Sequence, residues 1–404
     1  MNEIEARRAL AAAPLADAFL PSLYRATAPY RGCGHGCRYC DGRAERYYVD
    51  GDFERDVAAR RNLPALLRAE IGRGVARREW GAVCLGSGVT DVYQPAEETE
   101  RLTRAILAEL AETGLPFVVL TKNALVRRDF DLISRFPRAL VMLTLTTLDP
   151  DLARLLEPGA SPPAARLACV RAARDAGFRA GVMAMPLCPG ITDGAESFHA
   201  LAEAALDAGA EFVYPGGLTL RPGRQKDCFV SLVRESFPNL APLYVEVYGE
   251  ERPSGMPRMD YAAPRDREWG SWLDARGTPR LVPHSIYRDF LSAPDSLFVL
   301  LCHMATLYAA RGIDTRPLSA ALTRYADWLK GERAALRRSR VKTAPSDPFP
   351  LTRVLAERLA DAAGSTGPRS LESILGNERL ARFARSVVAE GAVFDYASLG
   401  FVIQ

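Results

Sequence analysis

Residues 29–42 read Pro29-Tyr30-Arg31-Gly32-Cys33-Gly34-His35-Gly36-Cys37-Arg38-Tyr39-Cys40-Asp41-Gly42. Three cysteines fall within eight residues at the spacing C-x3-C-x2-C. Thiolates this close converge on one centre, and the glycines at 32, 34, 36 and 42 let the backbone wrap it. An ordinary four-iron cluster takes four thiolates. Three leave one iron open to a substrate or cofactor, and that asymmetry points to catalysis. Two blander readings stand beside it. A structural zinc site would add His35 as fourth ligand. Unligated core thiols are the other, although four glycines make a poor core. His35 itself reads as a neighbour of the centre or a loop residue rather than a ligand.

Around this loop the chain is ordinary. It has 404 residues, 48% hydrophobic and 25% charged, values of a soluble globular protein of two to three domains. The net charge of +3 neither demands nor excludes a nucleic-acid partner. No run of about 18 apolar residues exists, so no membrane span is expected. Glu3, Glu5 and Asp17 surround the alanines at 11–13, unlike a signal peptide. The expected location is cytoplasmic. Eight cysteines in such a chain are no disulfide framework. Lysines stand only at 122, 226, 330 and 342, so each draws notice.

Strand-like segments at Ala82–Leu85, Phe117–Leu120, Leu140–Leu145, Arg179–Ala184 and Glu211–Tyr214 alternate with helical ones. The helices are expected at about 62–73, 96–113, 129–135, 162–176, 194–208 and 225–236, and Asp149-Pro150 marks another start. Alternation implies a parallel α/β sheet; with one strand leading into the cysteine loop it has six strands. We expect an N-terminal extension over 1–26, the α/β unit over 27–248, a Pro- and Gly-rich linker or irregular segment over 249–283, and an α-helical C-terminal region over 284–404. In that region Leu318, Leu322, Tyr325 and Leu329 recur at helical steps, and 296–310 is apolar all round, as a buried helix is.

C-x3-C-x-aromatic-C resembles the signature of the radical S-adenosylmethionine (SAM) superfamily, with Tyr39 as the aromatic. Further motifs resemble its spore photoproduct lyase-like branch: Thr90-Asp91-Val92-Tyr93-Gln94-Pro95, Thr121-Lys122, Leu145-Thr146-Thr147-Leu148-Asp149, Leu156-Glu157-Pro158-Gly159, and Pro186 through Asp193. The likeness spans about 27–248. It implies a partial (β/α)6 barrel, a 4Fe-4S cluster on Cys33, Cys37 and Cys40, and SAM as the other cofactor. The cluster's electron then cleaves SAM to a 5′-deoxyadenosyl radical, which takes hydrogen from a substrate. A reductant such as flavodoxin or ferredoxin is the implied partner. The motif positions make Tyr39, Ser87, Thr90, Asp91, Lys122, Thr144 and Thr146 candidate SAM contacts. An Asx turn or helix cap competes for Asp91, and β-favoured strand positions compete for the threonines. Glu157 and Arg166 read equally as a structural ion pair.

The branch's lyase returns hydrogen to its substrate radical from a cysteine near the end of the second strand. Cys84 and Cys188 are the candidates here. The stretch from Arg333 to Lys342 is the most basic and makes nucleic acid a candidate partner. The competing function is a zinc- or iron–sulfur-stabilised nucleic-acid-binding protein without radical chemistry; Thr90, Asp91 and Lys122 argue against it. The C-terminal helices are expected to close over the barrel mouth.

Overall fold

Short, largely apolar segments build the sheet. In the computed structural model, which describes residues 1–47, 51–77, 79–86, 89–339 and 349–402, seven of them pair. They are β1 (Leu10–Asp17), β2 (Ser22–Ala26), β3 (Val83–Leu85), β4 (Phe117–Thr121), β5 (Ala139–Thr144), β6 (Arg179–Leu187) and β7 (Val213–Gly217). The order across the sheet is β7-β6-β5-β4-β3-β2-β1. β2 to β7 are parallel, and β1 is antiparallel to β2. Order in space follows order in sequence. A doubly wound sheet reverses at a switch point; this one winds one way, as an open barrel does. The N-terminal segment, expected only as an extension, supplies the antiparallel edge.

Between the strands run α1 (Leu63–Gly72), α2 (Leu102–Ala111), α3 (Pro150–Leu156), α4 (Pro163–Asp175) and α5 (Ala195–Asp207), and α6 (Arg224–Ser236) follows β7. The Asp149 carboxylate caps α3, accepting from the N–H groups of Asp151 (2.8 Å) and Leu152 (3.2 Å). The helix expected over 96–113 is broken at Arg101, whose φ is 52°. There the buried carboxylate of Glu97 accepts from Thr103 N (2.8 Å) and caps α2.

Alternation along the strands sorts the side chains onto two faces. Val83, Leu85, Phe117, Val119, Val141 and Leu143 pack with α1, α2, α4 and α5 on the outer face. Cys84, Val118, Leu140, Met142, Met183 and Phe212 face inward. The segment expected to be irregular, 249–283, follows α7 (Ala241–Tyr248) and holds a 17-residue helix, α8 (Met259–Ala275), with Pro264 inside. Trp269 and Leu273, one turn apart, bury α8 on the outer core; that i, i+4 pair was the signal outweighed by the prolines and glycines around it.

The C-terminal helices are α9 (Ala293–Ala310), α10 (Arg316–Arg338), α11 (Pro350–Gly364), α12 (Leu371–Leu375) and α13 (Glu378–Ala389). They fill the inner face of the sheet rather than closing its mouth: Leu300, Met304, Tyr325 and Leu329 share one core with Cys84, Val118 and Met142. α9 is long and apolar enough to cross a membrane by length and composition, but 56% of it is buried within the protein. The basic stretch does not present one cationic face. Arg333 is 1% exposed and paired with Glu79 (2.6 Å) and Asp295 (2.5 Å); Arg340 and Lys342 lie outside the described residues.

Candidate functional site

The cysteine loop leaves β2 and lies across the carboxyl ends of the strands. Cys33, Cys37 and Cys40 line one cavity of about 100 Å³, together with Asp91, Lys122 and Thr144. A second cavity of about 290 Å³ shares Cys37, Cys40, Leu120, Lys122 and Thr144 with it. Tyr39, Met185 and Pro186 are among its other walls.

The motif that follows β3 holds this loop in place. The Thr90 hydroxyl donates to Gly32 O (2.7 Å), and the Gln94 amide donates to the same oxygen (3.1 Å). Gln94 Oε1 accepts from Gly34 N (2.8 Å). Arg43 donates to the carbonyls of Cys37 and Gly36 (both 2.9 Å). The Glu-Pro-Gly motif closes the far side: Gly159 N donates to His35 O (2.9 Å), while His35 Nδ1 lies 2.8 Å from Gly159 O. A Cβ at 159 would lie 2.3 Å from the Gly34 carbonyl oxygen, so the approach requires glycine. Gln225 of α6 donates to Tyr39 O (2.9 Å) and to Asp41 (2.9 Å). Gln94 and Gly159 sat within motifs already singled out; Arg43 and Gln225 carried no signal in the sequence.

Asp91 lines the smaller cavity but is committed within the protein. It accepts from Tyr93 N (2.8 Å, the Asx turn), Thr121 Oγ1 (2.7 Å) and Lys122 N (2.8 Å), with His35 Nε2 at 3.3 Å. Burial pushes its carboxyl up, but His35 and the other donors win and hold it at about 2. The ammonium of Lys122 reaches over the Tyr39 ring, 5.7 Å from its centroid. Among the described residues it has no ion-pair partner, and it lines both cavities. Thr144 lines both as well. Thr146 does not: its hydroxyl bonds Glu157 (3.1 Å), which also takes Tyr39 Oη and the Arg166 guanidinium. Glu157 and Arg166 are thus a buried ion pair. Ser87 lies outside the described residues.

Neither candidate hydrogen donor lines either of these two cavities. Cys84 pairs in register with Val118 and so lies two residues, roughly 7 Å, below Leu120 on the inner face. Cys188 is buried in the same apolar cluster as Cys37, Tyr39 and Leu218. Burial pushes the Cys84 thiol up to about 12 and that of Cys188 higher still.

The donor set suits an iron–sulfur cluster. Among the described residues no three Cys, His, Asp or Glu side chains close in as a single-ion site requires. The three thiols ring a cavity instead, as the separate corners of a cluster demand. His35, the fourth ligand of the zinc alternative, directs one nitrogen at Gly159 O and the other at Asp91. Burial pushes the Cys33 thiol up to about 12, so metal binding has to displace its proton.

An open α/β barrel with a three-thiol loop at its carboxyl end defines a class, and comparison with known proteins agrees with it. The profile of the Radical SAM superfamily matches residues 27–203. An uncharacterized protein of Mycobacterium tuberculosis, Rv2578c, is 36% identical over 315 residues, covering 76% of this chain and 88% of that protein. Another of Methanocaldococcus jannaschii, MJ0683, is 27% identical over 193 residues, covering 48% and 71%. Among solved structures, a spore photoproduct lyase mutant with dinucleoside spore photoproduct aligns with TM-score 0.47 at 16% identity, covering 68% of this chain and 78% of that one. The chain belongs to the radical SAM superfamily and is an enzyme of that class.

Proposed function

We propose that Cys33, Cys37 and Cys40 hold a 4Fe-4S cluster at which SAM is cleaved, in an enzyme of the spore photoproduct lyase-like branch. When bound, the cluster supplies one electron to break the S–C5′ bond of SAM, giving a 5′-deoxyadenosyl radical. The observation that carries this is the smaller cavity, onto which the three thiols and the Lys122 ammonium open, and which shares Cys37, Cys40 and Lys122 with the larger one. Lys122 supplies the point charge for the carboxylate of SAM, and the Thr144 hydroxyl a further contact. Thr90, Asp91 and Thr146 act as scaffold for the loop and for Lys122. Tyr39 lines the larger cavity beside Cys37 and Cys40. Of the two candidate donors Cys188 is favoured, since it belongs to the same buried cluster as Cys37 and Tyr39; burial keeps it as the thiol, the form that can give up a hydrogen atom. The substrate enters the larger cavity, and a flavodoxin- or ferredoxin-type protein of the cytoplasm supplies the electron. The buried position of Arg333 removes the main support for a nucleic-acid face on α10.

Anaerobic reconstitution with iron and sulfide tests this. Wild type should hold about four irons per chain and form 5′-deoxyadenosine from SAM under dithionite. Cys37→Ala should lose both. One tightly held zinc and no iron would contradict the proposal.

A further inference from the structure

The larger cavity has one wall that the barrel does not supply. Phe19 lies in the turn between β1 and β2, lines this cavity and is 39% exposed, while most large apolar side chains are buried. Its ring meets Tyr214 of β7 edge-on, with centroids 5.2 Å apart. The turn is built locally by Asp17, whose carboxylate accepts from Phe19 N (2.7 Å) and Leu20 N (3.2 Å). It is also held from outside. His303 of α9 has Nε2 2.7 Å from Ala18 O and Nδ1 2.7 Å from Tyr396 Oη. With a proton on Nε2, the ring donates to Ala18 and accepts from Tyr396. Phe19 therefore stands where the C-terminal helices put it.

The rest of the lining restricts what fits. Beyond the residues shared with the cysteine cavity, Phe19, Met185, Pro186 and Leu218 are apolar. Asp41 is already engaged by Arg221, by Gln225 (2.9 Å) and by Thr219 (3.2 Å). A Cβ at Gly217 would meet open space. The volume of about 290 Å³ compares with about 150 Å³ for an apolar cavity that takes up benzene.

We propose that Phe19 is a specificity-determining wall of the substrate cavity, that the group it admits is an uncharged apolar ring, and that His303 is its positioning residue. The inference rests on the assignment of the adjoining cavity to cluster and SAM. It gives the C-terminal helices a role in the site: through His303 they set a wall of the cavity that Cys37 and Cys40 also line.

The test uses the full-length reconstituted protein with SAM and no reductant, and ligand-observed NMR with indole and 1-methylthymine as probes. At least one ring should show saturation transfer, and the tighter of the two identifies a side-chain-like or a nucleobase-like ring. Phe19→Ala should weaken that probe roughly tenfold, the worth of a lost aromatic contact. Phe19→Asp should weaken it further. His303→Leu should weaken it as Phe19→Ala does, while His303→Gln, which keeps a donor for Ala18, should restore binding; a merely structural role would not separate the two. Where His303→Leu folds poorly by circular dichroism, Tyr396→Phe takes its place, and a reduced affinity is again expected. Absence of probe contact, or equal affinity in Phe19→Ala, overturns the wall. Equal affinity in both His303→Leu and Tyr396→Phe overturns the positioning role. A wild-type protein that responds to SAM but not to either ring refutes this inference and leaves the proposed function standing; one that never responds to SAM refutes the function itself.

Discussion

Lys122 shows how much one residue can be asked to carry. Its backbone N–H is fixed by Asp91, and its ammonium faces two cavities without an ion-pair partner among the described residues. Lys122→Met should weaken SAM binding roughly tenfold to a hundredfold, the range of a lost charge-assisted hydrogen bond, with the iron content retained. Equilibrium dialysis with labelled SAM measures this, and wild-type affinity would remove Lys122 from the site. Gly159 makes the steric case. Gly159→Ala places a Cβ against the Gly34 carbonyl and should cost about 1–3 kcal/mol, read from the urea midpoint. The residues of this site were legible as motifs, but their tasks were not. Thr90 and Asp91 stood out as contacts for a cofactor, yet their oxygens are spent on Gly32, Thr121, Lys122 and Tyr93. Spacing tells which residues gather; it does not tell whether a hydroxyl faces the ligand or the backbone that holds the ligand.

Among the elements, β3 to β7 followed from alternation, because each is a short apolar run bounded by a loop; β2 was expected only as a strand leading into the cysteine loop. β1 escaped it. Its sequence, LAAAPLAD, has the small residues of a helix or a loop, and only pairing with β2 makes it a strand. α10 escaped in another way. Its run of arginines looked like an exposed basic face, but Arg333 meets Glu79, 254 residues earlier, and Asp295. No local pattern encodes such a partner. Two carboxylates and one guanidinium buried together are expensive to separate. Arg333→Met should therefore cost about 3–5 kcal/mol, measured by chemical denaturation. A loss below 1 kcal/mol would mean that the cluster is solvated in solution.

At the scale of the whole molecule, one sheet is covered on both faces, by its own crossover helices outside and by the C-terminal helices inside. Two histidines report on that inner seam. His303 bridges Ala18 and Tyr396; His284 Nδ1 accepts from Phe394 N (2.9 Å). Burial holds His303 at about 4 and His284 at about 3, against about 6.5 in the unfolded chain. Both stay neutral in the fold while the unfolded chain takes up protons. Stability is complete above about pH 6.5 and falls progressively down to about pH 4 for His303 and about pH 3 for His284. At pH 5 each should cost on the order of 2 kcal/mol relative to pH 7.5, seen as a lower urea midpoint; His303→Gln should lessen the drop. An unchanged midpoint would place the seam in water.

The central claim is that three thiols hold a cluster with one iron open to SAM. Electron paramagnetic resonance of the anaerobically reconstituted, dithionite-reduced protein, with and without SAM, tests it most directly. The account predicts a four-iron signal whose g-values shift when SAM is added, in wild type and not in Cys37→Ala. A reduced four-iron signal that SAM leaves unmoved, or no iron signal in a zinc-loaded protein, would contradict it.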